Sequence, residues 1–196
     1  MHHVIAISKK AGEAIMQIYQ KDFSVEYKED QSPLTEADLT SHHLICDELS
    51  KLYPDIPILS EESADSFTLT NENACFWCVD PLDGTKEFIK KNDEFTVNIA
   101  LIQNQQAILG VIGLPAKNIV YAAVKGAGAF KQQGDNELQS IQVKTQDLDN
   151  LTFAVSRSHL DDHTKAMVDE YQAEMLQAGS ALKLAFLAEG LVDVYP

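Results

Sequence analysis

The segment DPLDGTKEF, residues 80–88, sets Asp80 and Asp83 three positions apart around a proline and follows them directly with Gly84 and Thr85. Carboxylates crowded in this way can hold a hard cation such as Mg2+, and a turn over 80–83 would aim the carbonyl of Leu82 at the same point. Gly84 lets the backbone approach a ligand closely, and TKEFI can open a short helix whose leading N–H groups favour a phosphate. Cation and anion would then meet at one bend. Asp, Pro and Gly also build ordinary turns, so metal–phosphate chemistry and a plain connection both fit this stretch taken alone.

Spacing excludes two other readings. An EF-hand loop begun at Asp80 would put Leu82, Gly84 and Lys91 at positions that need side-chain oxygens, which they lack. A haloacid-dehalogenase-type Asp-x-Asp-Gly-Thr has one residue between its aspartates and follows a first strand, whereas here there are two and the motif lies well into the chain. Other acids stand at the ends of expected elements. Glu61 and Glu62 follow IPILS, as an exposed acidic loop or as a pair gathered around a positive charge. Asp38 in LTEADLT matches a capping box with Thr35, a sufficient structural reason for an acid there.

These residues need elements to carry them. Val4, Ile7, Ala11, Ala14, Ile15 and Ile18 recur at helical spacing and predict a helix ending near Tyr19. A second helix is expected from Thr35 to about Leu52, burying Leu44, Ile45, Leu49 and Leu52, with Pro54 and Pro57 ending it. IPILS, CFWCV, FTVNIALI, AILGVIG, IVYAAV and ELQSIQV read as short strands, closely spaced as in hairpins, hence a largely antiparallel sheet. Past Asp149 the rhythm becomes α/β: a strand at LTFAV, helices at His163–Leu176 and Ser180–Ala188, a strand at LVDVY. The division expected is residues 1–149, an α+β lobe with the antiparallel sheet, and residues 150–196, the start of an α/β lobe.

A net charge of -15 over 196 residues argues against long nucleic acids, whose phosphates demand Lys and Arg. A small phosphorylated ligand remains compatible, because bound divalent cations invert the local sign. An odd cysteine count of 3 gives no disulfide framework. Cys75 and Cys78 form a C-x-x-C, but in a strand side chains three apart face opposite ways, so buried strand cysteines are expected in place of a redox or zinc site. His2, His3, His42 and His43 read as exposed. Without a membrane-length apolar run or a leader-like start, the expectation is a cytoplasmic protein with no membrane span.

In order along the chain, TEAD, SEES, DPLDGTKEF, SRSH and GSALK resemble the inositol monophosphatase superfamily of metal-dependent phosphatases. LSEES, VDPLDGTKEFIK, EFTVNIALI and AEGLVDVYP resemble its CysQ-type, 3′(2′),5′-bisphosphate nucleotidase branch. The resemblance implies an α/β fold, a layered αβαβα sugar-phosphatase-like sandwich, with Mg2+ at the junction of its lobes. It also implies roles: Glu61, Asp80 and the Leu82 carbonyl as ligands of a first metal, Asp80 and Asp83 as ligands of a second, and Thr85 with Asp38 orienting the attacking water. Gly84 and Thr85 would cradle the phosphate, and Ser156, His159, Ser180 and Lys183 would contact the nucleotide.

The activity implied is Mg2+-dependent hydrolysis of 3′-phosphoadenosine 5′-phosphate to AMP and phosphate, a step of sulfur metabolism, by a monomer or homodimer. The family pattern continues beyond the LVDVYP stretch with Trp-Asp-x-Ala-Ala-Gly, so the reading is of a C-terminally truncated member, its last layer incomplete. A catalytically impaired remnant and an inositol or sugar monophosphatase are the alternatives.

Overall fold

The computed structural model describes residues 1–27, 33–63, 75–145, 150–157 and 160–196. After α1 (His2–Tyr19), the short strands β1 (Val25–Tyr27) and β2 (Pro33–Thr35) pair antiparallel and lead into α2 (Glu36–Leu52). Then β3 (Ile58–Ser60), β4 (Cys75–Asp83), β5 (Thr96–Gln103), β6 (Gln106–Leu114), β7 (Ile119–Val124), β8 (Gly128–Gln133) and β9 (Gln139–Ile141) lie side by side in chain order. Only β3–β4 is parallel; the remaining neighbours are antiparallel. At the β5–β6 hairpin Asn104 and Gln105 both take positive φ, 50° and 59°, the pair of left-handed residues that matches strand twist in a two-residue turn. β8 was not among the expected strands: GAFKQQ lacks the branched residues that mark its neighbours.

α1 and α2 cover one face of this sheet. Ile7, Ala11 and Ile15 of α1 and Ile45 and Leu49 of α2 join Trp77, Val79, Val97, Ile99 and Val111 in the main core. Leu44 packs at its margin, whereas Leu52, expected inside, is 46% exposed because the helix ends there, beyond the sheet it covers. Thr35 caps α2 as expected, with a complete capping box.

The remaining chain is α/β: β10 (Thr152–Ser156), α4 (Asp162–Glu170), β11 (Glu174–Ala178) parallel to β10, and α5 (Leu182–Ala188). The helix expected through Leu176 stops at Glu170, since Gln172 turns left-handed at φ 49° and EMLQA pairs with β10, Leu176 and Ala178 inward. LVDVY contributes a bridge, Val194 to Phe153, where a full strand was expected.

α5 and Ala178 pack on Leu114 and Ile119 from the second face of the large sheet, and Val168 of α4 packs on Phe153 and Val155 of β10. Helices, sheet, helix, sheet, helix therefore follow in layers, an α/β sandwich. The expected boundary at residue 149 adjoins 146–149, which lie outside the described residues. Among the described helices none is long and apolar enough to cross a membrane.

Candidate active site

Residues 80–83 form a bulged strand, not the expected turn. Asp80 pairs with Asn98 and Asp83 with Thr96, leaving Pro81 and Leu82 opposite Val97 alone. Proline, with no N–H to offer a ladder, is tolerated at such a bulge. In a regular strand, residues three apart face opposite ways; the extra residue brings Asp83 back to the side of Asp80, and the two charges interact. Ser41 of α2, fully buried, donates to the Pro81 carbonyl at 2.8 Å and fastens the bulge from behind.

Glu61 enters from β3, whose parallel pairing with β4 extends one step further through Glu61 N–H to the Val79 carbonyl, 3.0 Å. Its carboxyl lies in hydrogen-bond reach of Asp80. Burial, then the charges of Glu61 and Asp83, push the Asp80 carboxyl up to about 8, partly countered by the Leu82 amide donating to it. Oδ1 of Asp80 is buried with no hydrogen-bond partner. Among the described residues no three or more His, Cys, Asp or Glu side chains are gathered closely enough to hold a metal ion. Glu61, Asp80 and Asp83 thus stand as a coupled but open acid cluster, as mutually repelling carboxylates should.

Asp38 does both things the sequence allowed. Its Oδ2 accepts from Thr35 N–H at 2.8 Å and from Thr35 Oγ1 at 2.6 Å, while Oδ1 accepts from Thr85 Oγ1 at 3.0 Å. The cap of α2 is also the partner of the threonine that follows the acids. Burial raises the Asp38 carboxyl above the ordinary aspartate range, against the lowering effect of the Thr35 and Thr85 bonds.

A cleft of about 400 Å³ opens beside this cluster, lined by Asp83, Gly84, Ser156, Ser180 and Lys183 among others. Ser156 comes from the C-terminal end of β10 and Lys183 from α5, so chain segments roughly a hundred residues apart share one wall-to-wall space. Lys183 is 8% exposed, its ammonium 2.8 Å from the Ser180 carbonyl and over the Tyr195 ring. Ser180 is not a helix cap: at φ 51° its hydroxyl reaches the carbonyls of Glu94 at 2.6 Å and Asp83 at 2.9 Å. Gly84, at φ 90°, has no room for a side chain, since a Cβ there would lie 2.0 Å from Ser180 Oγ. His159 lies outside the described residues.

Residues the sequence reading passed over also meet here. Lys86 and the buried Glu87 line the same cleft. Arg157, inside the quoted SRSH, grips Glu94, inside the quoted EFTVNIALI, through Nε at 2.8 Å and a terminal nitrogen at 2.6 Å. Both lay within motifs in view; only pairing across the fold marks them. His42, expected to be exposed, is half-buried with Nδ1 2.8 Å from Ser60 Oγ, and burial lowers its pKa. Of the strand cysteines, expected buried, Cys75 is half-buried and Cys78 exposed, because Trp77 and Val79 take the core side.

Comparison with known proteins places the chain in a family. The profile described as "Inositol monophosphatase family" matches residues 2–196. The chain is 40% identical over 199 residues to the 3′(2′),5′-bisphosphate nucleotidase CysQ of Escherichia coli (strain K12), covering 100% of this chain and 79% of that protein. Among solved structures, CysQ from Bacteroides thetaiotaomicron superposes with TM-score 0.83 at 36% identity, covering 100% of this chain and 78% of that one. An IMPase from Thermotoga maritima gives TM-score 0.81 at 27% identity, covering 98% and 73%. Matched over residues 2–196 by the profile, and over its full length by relatives in sequence and in structure, the chain belongs to the inositol monophosphatase family.

Proposed function

We propose that this chain is a Mg2+-dependent phosphomonoesterase that converts 3′-phosphoadenosine 5′-phosphate to AMP and phosphate, acting in the cytoplasm on the free nucleotide. One observation carries the reading: the acid cluster of Glu61, Asp80 and Asp83 adjoins both the Thr85–Asp38 pair and a cleft whose far wall carries Lys183. The likeness to proteins named 3′(2′),5′-bisphosphate nucleotidase supports the choice of nucleotide.

Glu61, Asp80, the Leu82 carbonyl and Asp83 are the groups that would hold Mg2+. Their hard oxygens suit that ion, and the buried, unpartnered Oδ1 of Asp80 amid mutual repulsion fits a divalent cation. When bound, the cation supplies Lewis acidity and positive charge beside the phosphate. The protein's own groups do the rest. Thr85 directs its proton to Asp38, which leaves its lone pairs free to accept from a water and orient it. As the water oxygen bonds phosphorus and the ester P–O bond breaks, the water proton passes to Thr85 and the Thr85 proton to Asp38; the 3′-oxygen takes a proton from solvent.

The N–H groups of Gly84 and Thr85, which no helical carbonyl can satisfy at the start of α3 (Thr85–Ile89), face the transferred phosphate. Ser156 and Lys183 hold the nucleotide beyond it, with Lys86 adding charge at the rim. His159 joins them on the strength of the resemblance. Ser180, bound to backbone carbonyls, shapes the wall.

Phosphate release from this nucleotide, from inositol 1-phosphate and from a sugar phosphate, measured side by side in Mg2+, tests the proposal. The nucleotide is expected to be the best substrate, with Asp83→Asn slowing release at least about a hundredfold. Faster release from inositol 1-phosphate would overturn the substrate, and no release from any ester would overturn the activity.

A further inference from the structure

We propose that Glu94 is a positioning residue that sets the width of the substrate cleft, holding the C-terminal α/β portion against the acid-bearing bulge; this rests on the phosphomonoesterase reading of the same site. Glu94 lies just before β5, outside the acid cluster. Its carboxylate takes both Arg157 nitrogens, at 2.8 and 2.6 Å, and the Gly179 N–H, at 2.9 Å. Its backbone carbonyl accepts from Ser180 Oγ at 2.6 Å. One residue therefore holds the chain just past Ser156 at the end of β10 and the Gly179–Ser180 link between β11 and α5, and both border the cleft.

The packing around that carbonyl leaves no slack. A Cβ built on Gly84 or on Gly179 would stand 3.2 Å from the Glu94 oxygen in either case, so glycines from the two walls close on it from both sides. Arg157 also contacts the Gln177 carbonyl at 3.1 Å, which ties β11 into the same node. The fork geometry of a guanidinium on a carboxylate fixes direction as well as distance, which a lysine would not. Burial pushes the Glu94 carboxyl up, but its bonds to Arg157 and Gly179 outweigh that and hold it below the ordinary range, so it is ionised where the enzyme works.

A group that only aligns the far wall should matter for a substrate long enough to touch that wall and not for one that ends at the phosphate. Glu94→Gln and Arg157→Gln are each expected to raise KM for 3′-phosphoadenosine 5′-phosphate about tenfold, while kcat/KM for p-nitrophenyl phosphate stays within about twofold. Arg157→Lys should fall between, and the double variant should cost no more than either single one. Amide hydrogen exchange, which needs no substrate, should speed up at Gly179–Ser180 in both glutamine variants and stay unchanged at Gly84–Thr85 and in α1.

Parallel loss on both esters, faster exchange throughout the chain, or unchanged kinetics would each overturn the positioning role. If the wild type hydrolyses inositol 1-phosphate and not the nucleotide, the substrate reading fails by itself. The positioning role is then judged by the same KM contrast between inositol 1-phosphate and p-nitrophenyl phosphate.

Discussion

Asp80 shows how a candidate site residue works against the fold that carries it. Its carboxyl is buried beside Glu61 and Asp83, and in the metal-free protein it binds a proton up to about pH 8, far above its unfolded value near 3.8. The folded state therefore holds a proton that the unfolded chain has already released. The stability this confers is complete below the unfolded value and is lost as pH rises through the folded one. Asp80→Asn removes the repulsion, so at pH 8 without metal it should be more stable than wild type by about 1–3 kcal/mol, with the gap closing toward pH 4. Urea titrations at the two pH values check this, and Mg2+ should protect wild type while leaving the variant unchanged. Gly84→Ala carries the opposite sign: a left-handed φ and the contact with Ser180 Oγ should cost about 2 kcal/mol or more and slow hydrolysis.

At the scale of elements, α2 is the support on which the proposed chemistry rests. Its cap residue Thr35 and acid Asp38 close the helix start and hold Thr85; one turn on, Ser41 secures the bulge that lets Asp80 and Asp83 share a side. Ser41→Ala would leave the buried Pro81 carbonyl without that donor, at a cost of about 1–2 kcal/mol. It should also lower kcat, because the bulge sets the separation of the carboxylates. Denaturant midpoints and phosphate-release rates on the same preparation check both, and loss of stability with unchanged kcat would show that β4 holds its bulge unaided. The DPLDGT spacing pointed to a candidate site, but a turn was expected where β4 has a bulge, since a bulge exists only with respect to a partner strand and β5 lies beyond Glu94.

For the whole molecule, what matters is how the C-terminal α/β portion is held to the large sheet. Besides the Glu94 node, Glu189 at the end of α5 accepts from Tyr121 Oη of β7 at 2.9 Å and pairs with Lys131 of β8, and its side chain is 8% exposed. Glu189→Ala would strand a half-buried ammonium and a buried phenol, at a cost of about 3 kcal/mol, while Glu189→Gln should recover part of that through the tyrosine bond. Chemical denaturation followed by fluorescence and by circular dichroism reads the loss. Acid acts on the other node: with its pKa lowered from 4.5, Glu94 contributes stability that is full above that value and disappears as pH falls through the folded one.

The sequence by itself determined most of the elements and named the candidate acids. Helical periodicity marked α1, the capping box marked the start of α2, branched runs marked most strands, and Asp38, Glu61, Asp80, Asp83 and Thr85 were singled out with motif neighbours as their reason. Local patterns suffice there because propensity, capping and amphipathic period act over a few residues. Tertiary structure alone decided the rest: the bulge at Pro81–Leu82, the strand in place of a helix at EMLQA, the burial of Lys183, and the grip of Arg157 on Glu94. Each depends on a partner distant in the chain, whose free energy of pairing or burial overrides the local preference of the residues it meets.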